Sequence, residues 1–117
     1  MVLAVALLTA LIGAGVAPAA AAEVLQVRSA SLLLVGDSNR TYTVELACIS
    51  SSPEQQPLAL DWLRGQLPRR SRVNLRPLGN RDGVLVARVQ KLSSASDLSS
   101  AMVEAGLAEP GAAPGCA

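Results

Sequence analysis

The sequence predicts a mainly β protein with helices, an α+β fold with the element order β-β-β-α-β-β-α. Three observations support this prediction. Residues 42–48 carry an apolar side chain at every second position, which is the period of a strand with one face on a core. Residues 57–67 instead space their leucines at the helical period. Segments 36–39 and 79–83 are rich in Gly, Asn and Asp, which favour turns between strands.

The first half of the predicted domain consists of three strands. Residues 23–28 and 31–35 form the first two, and 36–39 supply the turn into the central strand, which begins at residue 41. The central strand runs into a Ser-Ser-Ser-Pro-Glu loop at 50–54, which ends it. Three strands in succession indicate an antiparallel meander.

Two helices are predicted in the second half. The first covers 57–67, with a proline in its first turn and Pro68 after its last residue. The second covers 98–105, with Asp97 as its N-cap and Gly106 at the left-handed position that ends a helix.

The remaining strands are 72–78 and 84–89, with a hairpin turn at 79–83. Pro77 is expected to confine the first of them to a sheet edge or a strand end. Five short strands with a helix between the third and the fourth favour a Greek-key barrel of the oligonucleotide/oligosaccharide-binding type, the OB-fold. A split α+β sandwich is the alternative.

The chain is expected to have three parts. Residues 1–22 contain an apolar run followed by alanines, the pattern of a secretory signal peptide, although no Lys or Arg precedes the run. A membrane anchor is the alternative, but the run is short for a span, so no span is expected after cleavage. Residues 23–108 form the domain, and 109–117 are expected to be a flexible tail. The protein would then be exported to a periplasm, a lumen or the extracellular space.

Composition excludes several classes of site. The chain has no His, which argues against zinc sites and Ser-His-Asp hydrolysis. Ten basic and nine acidic side chains give no charge excess that would identify a partner. Cys48 continues the apolar parity of the central strand, so a buried thiol is favoured over a disulfide with Cys116, which an exported protein would also permit.

Three segments resemble the staphylococcal nuclease-like (thermonuclease) domains, and they occur in the order of that family. Val44-Glu-Leu-Ala-Cys-Ile-Ser-Ser-Ser-Pro-Glu54 is similar to the family segment Val-Arg-Leu-Ala-Gly-Ile-Asp-Ala-Pro-Glu. Asn80-Arg-Asp-Gly-Val-Leu-Val-Ala resembles the Asp-Arg-Tyr-Gly-Arg-Leu-Ala hairpin. Residues 97–108 resemble the helix motif Val-Asn-x-x-Leu-Val-Glu-Ala-Gly-Leu-Ala.

The resemblance implies a five-stranded barrel and a calcium-dependent phosphodiesterase site. Such a site has two metal carboxylates, a Glu near the attacking water and two Arg for the phosphate. One metal carboxylate falls at Ser31, or at Ala30 if the alignment shifts by one residue, and the other falls at Ser50. The two Arg fall at Glu45 and Val84. The catalytic Glu alone is retained, as Glu54. No metal or cofactor site is therefore expected to remain.

The sequence thus predicts an exported nuclease-like barrel that has lost phosphodiesterase activity and acts as a binding or interaction module. One alternative is a weak or altered nuclease that uses Glu54 and a nearby Arg, either Arg81 or Arg88. The other is a nucleic-acid-binding module without cleavage, in which a run of arginines binds phosphate. The members of this run named as phosphate-binding candidates are Arg69, Arg70, Arg72 and Arg76. The partner stays open between nucleic acid and protein.

Overall fold

The computed structural model describes residues 21–113, 115 and 116. Within them lie seven strands and two helices: β1 (Ala22–Val27), β2 (Leu32–Asp37), β3 (Arg40–Leu46), β4 (Ile49–Ser50), α1 (Gln56–Gln66), β5 (Ser71–Arg81), β6 (Val84–Lys91), α2 (Leu98–Glu104) and β7 (Glu109–Pro110). The predicted signal peptide lies outside the described residues except for its last two positions. No helix in the described part has the length and hydropathy needed to cross a membrane.

Five strands form a closed barrel in the order β1-β2-β3-β6-β5, and β5 pairs with β1 to complete it. All neighbours are antiparallel except β3 and β6, which run parallel because α1 and β5 intervene in the chain. The predicted α+β class and its element order are confirmed, and the sandwich alternative is wrong. The barrel is compatible with an OB-fold.

The barrel interior is filled by one face of every strand. Each of the five strands contributes a fully buried aliphatic side chain; these are Val24, Leu33, Val44, Val73 and Val89. The helices add Leu63 from α1 and Met102 from α2 to the same core. This agrees with the period-2 and period-3.6 patterns, because both patterns place apolar side chains on one face.

The β5–β6 hairpin is longer than the sequence predicts. Pro77 lies on a part of β5 that pairs only with β6, since β1 pairs with Ser71–Val73 alone, so the predicted edge position is confirmed. β5 nevertheless continues to Arg81, through a bulge between Pro77 and Gly79. The bulge accommodates a residue that cannot donate a ladder hydrogen bond. The turn is only Asp82-Gly83, with φ of 52° and 82°, which matches the two-residue turn that fits the twist of paired strands.

The central strand is shorter than the alternation suggests. β3 ends at Leu46, and Cys48 lies in the next turn with a φ of 69°. The expectation of a buried free thiol at Cys48 is wrong, since Cys48 forms a disulfide with Cys116. The alternation of apolar residues thus extends to Cys48 by coincidence, although the strand ends at Leu46.

The C-terminal segment, predicted as a flexible tail, is joined to the barrel at β4. Strand β7 pairs antiparallel with β4, and the Gly111 amide donates to the Cys48 carbonyl at 2.7 Å. The disulfide between Cys48 and Cys116 adds a covalent link between residues that are 68 positions apart in the chain. The flexibility itself stays a prediction, whereas these contacts are part of the fold.

Candidate functional site

A groove of about 360 Å³ lies where the turn between β1 and β2, the strands β3 and β4, and the end of β5 meet. Its walls include three of the five positions to which the resemblance assigns catalytic roles, namely Ser31, Glu45 and Ser50. Arg81 and Gln56 also line it. The structure therefore brings together residues that are up to 50 positions apart in the sequence.

The charged groups of the groove neutralise each other. An Nη2 of Arg81 lies 3.3 Å from Oε2 of Glu45, and the Glu45 side chain is 25% exposed while that of Arg81 is 63% exposed. Glu45 comes from β3 and Arg81 from the last residue of β5, so the pair spans the barrel wall.

Serine hydroxyls fix the loops at the edge of this groove. Ser29 Oγ accepts hydrogen bonds from the Ser31 and Leu32 amides at 3.2 and 3.1 Å, which shapes the turn between β1 and β2. Ser51 Oγ donates to the Leu107 carbonyl at 2.9 Å and thereby holds the chain after β4 against the segment that follows α2. These hydroxyls are structural, since each is used in a turn or loop contact.

The other two positions to which the resemblance assigns a catalytic role lie outside the groove. Glu54 is exposed in the turn before α1, and Val84 is half-buried at the start of β6, opposite Arg81. Neither side chain lines the groove. The retained Pro-Glu motif therefore does not place Glu54 among Ser31, Glu45 and Ser50.

The polar groups of the groove do not fit the calcium ion that the resemblance implies. Calcium takes six to eight oxygen ligands, several of them carboxylates. Glu45 is the one carboxylate that lines the groove, and the Arg81 guanidinium beside it repels a cation. Within residues 21–113, 115 and 116, no three His, Cys, Asp or Glu side chains lie close enough to hold a metal.

The four arginines proposed to bind phosphate fall into two groups: two contact β1, and two have no ion pair or side-chain hydrogen bond within the described residues. Arg69 donates to the Leu25 carbonyl at 3.4 Å, and Arg70 lies 3.8 Å from Glu23, so both brace β1. Arg72 and Arg76 are exposed on β5 and make no ion pair or side-chain hydrogen bond within the described part of the chain. Of the four phosphate-binding candidates, two are therefore available to a ligand.

Arg88 joins Arg76 on the outer face of the hairpin. The two are directly opposite in the β5–β6 register, and both line a shallow polar groove of about 250 Å³ with Asn74 and Gln90. Like charges opposite each other are unfavourable. Asp97 offsets this repulsion, because Arg88 Nη1 donates to Asp97 Oδ2 at 2.9 Å.

Asp97 also caps α2, as the sequence predicts. The Ser100 amide donates to its carboxylate at 3.2 Å, and the Ser100 hydroxyl at 2.7 Å. Partial burial by itself would raise the pKa of Asp97, but these hydrogen bonds and the Arg88 guanidinium outweigh it and hold the pKa below its ordinary value. Asp97 therefore fixes the start of α2 and the position of Arg88 together.

Sequence reasoning missed two features that bear on the site. The capping-box pattern Ser-x-x-Gln was available at 52–55 and is realised, since the Ser52 amide donates to Gln55 Oε1 at 2.9 Å and the Gln55 amide to Ser52 Oγ at 3.2 Å. The pairing of Glu45 with Arg81 had no sequence signal, because it depends on β3 and β5 lying on either side of β6 in the barrel wall.

No protein-family model matches the sequence, and no curated protein matches it. The resemblance to the nuclease-like domains therefore stays a prediction from the three motifs, and the closed barrel is compatible with an OB-fold.

Proposed function

We propose that this chain is an exported barrel of the staphylococcal nuclease type that has no phosphodiesterase activity and acts as a binding or interaction module. The closed five-stranded barrel and the grouping of Ser31, Glu45 and Ser50 support the proposal that the barrel is of this type. The chemistry of the same groove supports the loss of catalysis.

One observation carries the proposal: the groove holds a neutralised Glu45–Arg81 pair instead of a carboxylate pair and free arginines. Phosphoryl transfer is catalysed by protein groups that are placed where charge develops in the transition state. Removal of one such contact typically lowers the rate about 10²- to 10³-fold. Here two hydroxyls replace the metal carboxylates, and the one arginine is already engaged. A ligand of this groove is held by hydrogen bonds and shape, without hydrolysis.

The disulfide supports export. Disulfides persist in oxidising compartments and are rare in the cytosol, so Cys48–Cys116 fits the predicted signal peptide. Ala22 is buried at the start of β1, where it pairs with Val73. Cleavage after Ala22, where the predicted signal peptide ends, would remove the first residue of β1, whereas cleavage after Ala21 would keep the strand whole. Mass spectrometry of the mature N-terminus decides between the two positions.

Two measurements on the purified protein test the loss of catalysis. We expect no calcium-dependent heat by titration calorimetry and no cleavage of single-stranded DNA in calcium. The matched gain-of-binding control is the S31D/S50D variant, which restores two carboxylates at the groove. Calcium-dependent cleavage that Glu54→Ala abolishes, and that Glu104→Ala on the exposed part of α2 does not, would establish the weak-nuclease alternative.

A second candidate, nucleic-acid binding without cleavage, is favoured by the outer face of the β5–β6 hairpin. Arg76 has no protein partner in the described chain, and Arg88 lies directly opposite it in a polar groove. Guanidinium groups bind phosphate oxygens in pairs of hydrogen bonds. We expect such a face to bind the backbone without sequence preference, since no aromatic residue lines that groove.

The test of this candidate is fluorescence anisotropy with a labelled twelve-residue oligothymidine at low salt. Arg76→Gln should weaken binding about five- to tenfold and should reduce the salt slope by about 0.7. Arg69→Gln is the matched control, because Arg69 belongs to the same run but braces β1. Equal effects of both variants, or no binding at low salt, would reject the candidate.

A further inference from the structure

The chain after Ala108 returns from α2 to the turn that follows β3. We call its described part, residues 109–113 with 115 and 116, the C-terminal strap. Up to the strap the chain is fixed, since Ala108 is 2% exposed and the Leu107 amide donates to a carbonyl of α2 at 2.9 Å. Every residue of the strap is exposed or half-buried. The strap therefore contributes almost no apolar burial.

Few contacts hold the strap in place. Its strand β7 pairs with only the two residues of β4, and the Gly111 amide donates to the Cys48 carbonyl at 2.7 Å. The approach is close at that point, since a Cβ on Gly111 would lie 3.0 Å from the Cys48 carbonyl carbon. The disulfide between Cys48 and Cys116 completes the attachment. It is a second covalent link beside the main chain that enters the strap from Ala108.

The strap forms one wall of a cavity of about 320 Å³. The strap residues in that wall are Gly111, Ala112, Ala113 and Cys116. The lining also includes Leu78 and Arg81 from the bulged end of β5, and Glu45 from β3. Glu45 and Arg81 also line the neighbouring groove. The strap is thus one side of a cavity that the ion pair also lines.

Both sulfur-bearing residues are partly exposed, so a small dithiol can reach the bond. We propose that the Cys48–Cys116 disulfide is a redox-controlled closure, whose reduction releases the strap and opens the cavity beside Glu45 and Arg81. A thiolate of the dithiol attacks one sulfur to give a mixed disulfide, which the second thiol resolves. Two electrons and two protons pass to the protein and leave two thiols, and the reductant leaves as a cyclic disulfide.

Hydrogen exchange of the protein with and without dithiothreitol tests the closure. In the reduced protein we expect the Gly111 amide to exchange faster by on the order of 100-fold, because its bond to Cys48 opens locally. The amide chemical shifts of Val44 and Val89 in the barrel should stay unchanged, because the barrel stays folded when the strap is released. The methyl resonances of Leu78, which an added Cβ on Gly115 would approach to 3.5 Å, should shift on reduction.

Variants separate release from other effects of the reductant. Cys116→Ser should show the reduced pattern without dithiothreitol, and the C48S/C116S double variant should not respond to it. Three results would overturn the proposal. The Gly111 amide stays protected after reduction, the amide chemical shifts of Val44 and Val89 change because the barrel unfolds with the strap, or reduction requires denaturant. The proposal does not depend on whether the groove binds or hydrolyses a ligand.

Discussion

The five-stranded barrel and the two-stranded β4–β7 sheet lie next to each other but are stabilised by different interactions. Every barrel strand buries an aliphatic side chain completely. The β4–β7 sheet has two residues in each strand, none of them buried, and depends on backbone hydrogen bonds and the Cys48–Cys116 disulfide. Apolar burial recurs along a strand and leaves a periodic pattern in the sequence, whereas a covalent link between distant loops leaves none.

The largest expected effect concerns the disulfide. Cys116→Ser removes a link that spans 68 residues, and loop-closure entropy predicts a loss of about 4 kcal/mol in the free energy of unfolding. Urea denaturation of the oxidised parent and the variant measures it. A variant that is as stable as the parent would show that the β4–β7 sheet contributes nothing to the barrel through this bond.

The next effect tests the barrel. Leu63→Ala removes a fully buried side chain from α1 and should lower the free energy of unfolding by about 3 kcal/mol. Leu58→Ala in the same helix is the control, because Leu58 is 62% exposed. Thermal and chemical denaturation of both variants should differ clearly. Similar losses would mean that α1 does not pack on the core as described.

A smaller effect is expected at the start of α2. Asp97→Ala removes the N-cap and the partner of Arg88 and should lower stability by about 1 to 2 kcal/mol. Asp97→Asn keeps a capping oxygen and should lose less. A circular dichroism melt of both variants at neutral pH separates the cap from the charge, and equal losses would assign the whole effect to the charge.

The lowered pKa of Asp97 predicts that the free energy of unfolding depends on pH. The pKa of Asp97 is lower in the folded chain than its ordinary value of 3.8. The folded form thus gains stability from the ionised carboxylate above pH 3.8, and this contribution disappears as the pH falls through 3.8 toward the lower folded pKa. Denaturation of the parent and Asp97→Asn from pH 7 to pH 2.5 should show their difference shrink in that range. A constant difference would contradict the assignment.

The smallest effect is expected at the groove. Glu45→Gln breaks an ion pair whose arginine is largely exposed, so the loss should be at most about 0.5 kcal/mol. A double-mutant cycle with Arg81→Gln at low and high salt measures the coupling. A coupling well above 1 kcal/mol would show that the groove is a structural element of the barrel and not a surface open to ligands.

The candidate site was accessible to sequence reasoning only in part. The motif matches assigned Ser31, Glu45 and Ser50 to one site, and the structure brings these three together. Glu54 and Val84 have the same kind of motif support, yet they lie outside the groove because the loop before α1 and the end of the hairpin set their directions. A motif specifies residue type and order, while the direction of a side chain depends on the turn that carries it.

The sequence by itself determined the elements and the core of this protein. The alternation around Val44 and the leucines of α1 are local patterns, and their apolar faces can be buried only against each other. Only the tertiary structure decided that β3 runs parallel to β6, that Arg81 neutralises Glu45 and that Cys48 joins Cys116. Each of these contacts joins residues far apart in the chain, and their positions are fixed by the closure of the barrel.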